Sequence, residues 1–174
     1  GLIASGEQEL AYVRTVEDAL SRARTRKELD EIRLELGEVG YMSAPATKKG
    51  SKKTPAGQPL VFTTTDGMRV LVGRNNRQND SLTGNADKND IWFHVKNFPG
   101  SHVILCTEGE EPTDRDYTQA AMLAAYHSSI RGASNAEVDY TRVRYVKKPS
   151  GSKPGYVTYD KYYTAIVDGI MPKL

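Results

Sequence analysis

Leu60-Val61-Phe62-Thr63-Thr64-Thr65-Asp66-Gly67-Met68-Arg69-Val70-Leu71-Val72 decides the fold of this chain. Two runs of apolar and β-branched residues flank Asp66-Gly67, a dipeptide suited to the positive φ of a tight hairpin turn. The pattern predicts strands over 60–65 and 68–72. Immediately after it comes Gly73-Arg74-Asn75-Asn76-Arg77-Gln78-Asn79-Asp80, with two guanidinium groups, four side-chain amides, one carboxylate and no apolar side chain. Burying such a segment without partners would cost roughly 1–3 kcal/mol per polar group. Two readings follow. Arg74 and Arg77 clamp one phosphate, with Asn75 and Asn76 reaching ribose or base edges; or the run staples its own loop to the domain.

Working outward, 75–87 reads as helix or loop anchored by Leu82. Ile91–Val95 and His102–Cys106 read as strands around Phe98-Pro99-Gly100. Thr113 with Asp116 caps a helix running to about Ile130, and Ala120, Ala121, Ala124 and Ala125 suit it to lying close on a sheet. Strands are predicted at Val138–Val146, Tyr156–Tyr159 and Tyr162–Val167. Upstream, Ser5-Gly6-Glu7-Gln8 and Thr25-Arg26-Lys27-Glu28 read as capping boxes of helices over 6–23 and 26–37. Leu10, Val13, Val16 and Leu20 form the apparent apolar stripe of the first. The expected fold class is α+β: a mixed or largely antiparallel sheet, covered on one face by the alanine-rich helix, with an N-terminal helical arm. The boundaries are 1–41 for the arm, 42–59 for a basic linker carrying Lys48, Lys49, Lys52 and Lys53, and 60–174 for the α+β domain.

The 174 residues carry a net charge of only +2, but its distribution is uneven. Residues 42–77 hold seven basic and one acidic group, 78–118 three and eight, and 119–174 eight and four. Such asymmetry points to an anionic partner. The lone Cys106 excludes an internal disulfide and fits a reducing compartment. No segment has the length and apolarity of a bilayer span or the pattern of a signal peptide, so no membrane partner is expected. Gly at position 1 suggests a trimmed chain.

Arg142-Val143-Arg144-Tyr145-Val146-Lys147-Lys148-Pro149-Ser150-Gly151-Ser152-Lys153-Pro154-Gly155 holds five cations and no acid. Strand alternation sets Tyr140, Arg142 and Arg144 on one face. Lys147, Lys148 and Lys153, with amides at Gly151 and Gly155, form a candidate phosphate cradle. Six of ten tyrosines lie between Tyr140 and Tyr163, a mixture of rings and cations suited to unpaired bases. An exposed edge strand kept soluble by its charges is the alternative.

Trp92 and His94 share a strand face, and a hairpin closing over Lys96–Ser101 brings His102 near His94. Two close imidazoles suit RNA contact, acid–base work or a metal, or form a hydrogen-bonded structural pair. A metal would need Cys106 or His127 as well. A triad of Ser101, His94 and Asp90 lacks a nucleophile elbow. No catalytic residue, metal or cofactor is therefore assigned.

These runs together resemble the C-terminal RNA-binding domain of the NFACT family. The residues that carry the likeness are Asp66-Gly67, Gly73 to Asp80, Leu82-Thr83, Asp90 with Trp92-Phe93-His94-Val95-Lys96, and Pro99-Gly100-Ser101-His102. Ala120-Ala121, Leu123-Ala124-Ala125-Tyr126, Val138-Asp139-Tyr140-Thr141, Val146-Lys147-Lys148-Pro149, Gly151 and Lys153-Pro154-Gly155 continue it. Leu29-Asp30-Glu31-Ile32-Arg33 with Gly40-Tyr41 is similar to the end of the family's coiled-coil middle region. Gly84 and Asn97 depart from the common pattern.

The resemblance implies a C-terminal piece of a cytoplasmic, ribosome-associated quality control factor. Such factors bind large subunits holding a stalled peptidyl-tRNA and recruit tRNA, alanyl-tRNA in bacteria, for mRNA-independent tailing. It also implies a rival reading, since members are described as surface fibronectin-binding proteins; a His-based metalloenzyme is the remoter rival. The expected RNA contacts are Arg74, Asn75, Asn76, Arg77, Lys96, Arg142, Arg144, Lys147, Lys148 and Lys153. Trp92, His94, His102 and Tyr140 are expected to stack on RNA or to hold the loops that touch it.

Overall fold

A computed structural model describes residues 2–42 and 57–174. The linker lysines at 48, 49, 52 and 53 lie outside the described residues. Two helices form the arm, α1 (Leu2–Arg22) and α2 (Arg26–Glu38). The Thr25 box is present: its hydroxyl takes the Glu28 amide, and the Glu28 carboxylate takes the Thr25 amide. Ser5 is different, since α1 already begins at Leu2 and encloses it. The buried stripe of the arm is Tyr12, Val16, Ala19 and Ile32, with Ala23, Leu36 and Val39 against it. Leu10, Val13 and Leu20 face outward, contrary to the sequence expectation. Small Ala19 and Ala23 let the two helices approach closely, so packing followed their side rather than the more hydrophobic one.

The domain comprises β1 (Leu60–Thr63), β2 (Arg69–Val72), α3 (Asn76–Asn85), β3 (Ile91–Val95), β4 (Val103–Cys106), α4 (Asp114–Tyr126), β5 (Ala136–Arg142), β6 (Val146–Lys147), β7 (Thr158–Tyr159) and β8 (Tyr163–Val167). Six strands form one sheet in the order β1-β2-β4-β3-β5-β8. All its pairings are antiparallel. The β1–β2 hairpin turns at Gly67, whose φ of 95° is the left-handed geometry that glycine adopts without strain.

One sheet face carries Val70, Val72, Ile91, Phe93, Val95, Val103, Leu105 and Val138, packed on the alanines of α4. The Thr113–Asp116 box starts α4, which stops at Tyr126, four residues before the expected end, with His127 as its C-cap. The other face is covered too. Trp92, Ile104, Cys106 and Val143 pack there with Leu82 of α3 and with Val146, Val157 and Tyr159 from the small β6–β7 sheet. Coverage of one face only was the expectation; the polar helix α3 and the glycine-rich tail supply the second layer. The strand expected over 138–146 breaks at Arg142 into a 3-10 turn, Val143–Tyr145, because β6 leaves the main sheet to pair with β7. Arg144 therefore does not share a strand face with Tyr140 and Arg142. Among the described residues, no helix is long and apolar enough to cross a membrane.

Candidate nucleic-acid interface

The polar run 73–80 folds inward. A Cβ at Gly73 would meet the Asn79 Oδ1 at 1.9 Å, so only glycine lets α3 lie this close to β2. Asn75 caps α3, its Oδ1 accepting the Gln78 amide at 3.0 Å. Four carboxylates of α2, at 28, 31, 35 and 38, then recur at three- and four-residue spacing on one helix face. Arg74 Nη1 meets Glu28 at 3.0 Å, and Arg77 Nε meets Glu38 at 3.7 Å. Asn75 and Gln78 both donate to Glu31, at 2.7 and 2.8 Å. Asn76 donates to Thr15 at 2.8 Å and to Glu35 at 3.3 Å. Burial raises the Glu35 carboxyl above its usual range, and the Tyr12 hydroxyl donates to it at 2.5 Å.

This placement corrects the single-phosphate clamp. Glu28 and Glu38 stand ten residues apart, about 15 Å along a helix, so their two guanidinium partners diverge. Arg74, Asn75, Asn76 and Arg77 dock the arm.

The other end of the run ties down the tail. The Asn79 Oδ1 accepts the His102 amide at 3.1 Å. The Asp80 carboxylate accepts the Gly155 amide at 3.0 Å and faces Lys148 Nζ at 3.3 Å. The expected cradle of lysine and glycine amide thus already holds an anion, and that anion is internal. Lys148 also donates to the carbonyls of Lys153 and Tyr156, at 2.5 and 3.0 Å. Lys153 lies 5.8 Å and 5.4 Å from the ring centroids of Tyr12 and Tyr41 on the arm.

The two histidines do meet, with ring centroids 5.6 Å apart. Trp92, only 1% exposed, stacks on His94 and meets His102 edge-on. His102 Nε2 is 3.0 Å from the Gly155 carbonyl, which can only accept, so this nitrogen carries the proton. Nδ1 then accepts from the Thr83 hydroxyl at 2.9 Å. Burial, with His94 adjacent, pushes the His102 pKa down to about 3 and lowers that of His94. His102 is a neutral clamp with both nitrogens used, and Trp92 and His102 hold loops from the inside. Among the described residues, no three His, Cys, Asp or Glu side chains are grouped to hold a metal.

The remaining candidates divide. Arg142 reaches the Asn89 carbonyl at 2.6 Å and Glu111 at 2.9 Å. Lys96 pairs at 3.3 Å with buried Asp139, which also accepts from Tyr159 and Thr164. Tyr140 sits half-buried in a row of rings, 5.4 Å from Phe93 and 5.7 Å from exposed Tyr163. Arg144 and Lys147 face solvent. Arg144 leans on the Lys88 carbonyl and the Asn89 side chain, and Lys161 lies 4.9 Å over the Tyr145 ring. Lys161 in space and Arg144 in sequence flank Tyr145, exposed Lys88 and Lys147 adjoin them along the backbone, and none of the four forms an ion pair among the described residues, which makes a cationic strip. Sequence reading missed Lys88 and Lys161. Each sits in a short turn, and only their convergence on Tyr145 and Arg144 sets them apart from ordinary surface lysines.

The family model for the NFACT protein RNA-binding domain matches residues 58–160. The chain is 43% identical over 168 residues to the Rqc2 homolog RqcH of Bacillus subtilis, covering 95% of this chain and 29% of that protein. To the Rqc2 homolog RqcH of Streptococcus suis it is 41% identical over 160 residues, covering 91% and 28%. The chain therefore spans less than a third of these relatives. The solved C-terminal part of the fibronectin/fibrinogen-binding protein from Streptococcus suis superposes with a TM-score of 0.86 at 39% identity, covering 97% of this chain and 67% of that one.

Proposed function

This chain belongs to the NFACT protein RNA-binding domain family, and from that premise we propose that it is the RNA-binding module of a cytoplasmic ribosome quality control factor. Its proposed partners are tRNA, alanyl-tRNA in bacteria, and the large ribosomal subunit holding a stalled peptidyl-tRNA. The module acts by binding and not by catalysis. The observation that carries this reading is the strip of Lys88, Arg144, Lys147 and Lys161 near Tyr145, none of which is ion-paired among the described residues. Cations bind the phosphates, and the exposed rings of Tyr156 and Tyr163 offer faces for unpaired bases. The buried run 74–80 and His102 hold the tail that presents them.

Titration with tRNA across a salt series tests the proposal. Log affinity falls linearly with log salt, by about 0.7–0.9 for each phosphate neutralised. Absence of saturable binding at low salt overturns the assignment. Fibronectin binding is a second reading, favoured by the name of the Streptococcus suis neighbour. Saturable capture on immobilised fibronectin, alongside failure to bind tRNA, would select it.

A further inference from the structure

Arg22, Arg24, Arg74 and Arg131 converge with His127 on a cavity of about 280 Å³. It lies between the α1–α2 turn, the residues following β2 and the C-terminus of α4. Glu28 is its one carboxylate, against four guanidinium groups. The volume is several times the ~30 Å³ share of a single liquid water, enough for a tetrahedral oxyanion.

Unmade hydrogen bonds gather here. Arg22 Nε, Arg74 Nε and His127 Nε2 are buried without a partner, and all three belong to residues that line this cavity. His127 is only 8% exposed. Buried polar atoms are ordinarily satisfied; the two arginine Nε–H groups can only donate, and the neutral His127 Nε2 donates in one of its two tautomers, so the cluster has donors to spare for an acceptor. The guanidinium heads are already fixed from outside. Arg22 donates to Ser101 at 2.9 Å and to Asp18 at 2.7 Å, and Arg74 to Glu28 at 3.0 Å. Arg131 donates Nε to the Tyr126 carbonyl at 2.7 Å and stacks 4.1 Å over the Tyr126 ring. The positive potential is felt by His127, whose pKa falls to about 4 through burial and the cations of Arg22 and Arg131.

We propose that this cavity is a phosphate-binding site. Four guanidinium groups gathered round one space, three of them anchored by other contacts, suit a group with several acceptor oxygens. The phosphate comes from an RNA backbone or from a free phosphate compound. The site lies beyond the Val72–Val103 end of the sheet, whereas the cationic strip lies beyond the Ile91–Arg142 end. It stands on its own geometry; only the RNA source rests on the proposed function.

NMR titration of the chain with inorganic phosphate, at constant ionic strength in chloride, tests it. Saturable shifts of the His127 ring and arginine Nε–H resonances are expected, with a millimolar dissociation constant or tighter. Arg131→Gln weakens the binding about tenfold. Arg131→Lys, which keeps the charge but loses the fork, gives an intermediate loss. Arg131 is exposed and its side-chain contacts are confined to Tyr126, so both variants should fold, with midpoints close to wild type. No saturable shift, or wild-type phosphate affinity in Arg131→Gln, overturns the site even if tRNA still binds through Arg144 and Lys147. Phosphate binding with weaker tRNA affinity in Arg131→Gln supports the site and assigns it to RNA. Phosphate binding with tRNA affinity unchanged supports the site and assigns it to a free phosphate compound.

Discussion

His102 donates its Nε2 proton to the carbonyl of Gly155, at 3.0 Å and 53 residues further along the chain. Gly155 is held on every side: its amide bonds Asp80, its φ is 81°, and a Cβ there would stand 2.3 Å from the Asn76 Oδ1. Gly155→Ala should therefore cost more than the roughly 1–2 kcal/mol of left-handed backbone strain alone. Gly151, with φ of 73° and nothing within 4 Å of a built Cβ, should lose only that strain when changed to Ala. Urea unfolding of the two variants should rank Gly155→Ala clearly below Gly151→Ala; equal midpoints would contradict the geometry.

The arm should come loose when its buried carboxylate goes. Glu35, 1% exposed, accepts from Tyr12 and Asn76. Glu35→Ala leaves both donors without that acceptor, at roughly 1–3 kcal/mol each. Glu35→Gln keeps an acceptor oxygen and sheds a desolvated charge, so its cost should be far smaller. Hydrogen exchange over α1 and α2 should accelerate strongly in the first variant and little in the second.

Acid should weaken the fold through His127. Its folded pKa of about 4 lies below the unfolded value near 6.5, so the unfolded chain binds more protons between them. Its contribution is complete above pH ~6.5 and is lost as pH falls towards 4. Asp18, Glu35 and Asp80, raised by burial, act in the opposite sense at lower pH. The comparison with His127→Gln isolates the effect. In phosphate-free buffer, wild type should lose more stability than the variant between about pH 7 and 5, by up to ~1.4 kcal/mol per pH unit below the unfolded pKa. Parallel curves would refute the assignment.

Arginines of the two kinds should separate cleanly in RNA binding. Combined Arg144→Ala, Lys147→Ala and Lys161→Ala should reduce the salt slope for tRNA by about two to three, with little change in stability. Arg74→Ala should loosen the arm, its partner being Glu28, and lower the slope by no more than about one, the share of a single phosphate. The opposite pattern would move the interface to the arm.

Legibility in the sequence followed the range of the interactions. Asp66-Gly67, Thr25 with Glu28, and Thr113 with Asp116 are local devices; each was readable, and each lies where it was read. The Arg74–Glu28 and His102–Gly155 contacts span 46 and 53 residues, and nothing at either end names the other. The composition of the run 74–80 revealed that it must bond densely, but the same groups suit RNA and an acidic helix face equally. The stripe of α1 was misplaced because alanine adds little to a hydrophobic pattern, although its small size is what admits α2. The break after Arg142 was hidden because Val143 and Tyr145 continue the strand alternation that the backbone abandons.

Cys106 has one more consequence. The only thiol of the chain lies 8% exposed in the second layer, its ionisation suppressed chiefly by burial. Alkylation requires a thiolate that the reagent can reach, so modification has to wait for the sheet to part. The labelling rate then becomes a native clock for that opening, read without introducing a probe, and its slowing on adding a ligand measures how firmly the ligand holds the closed form.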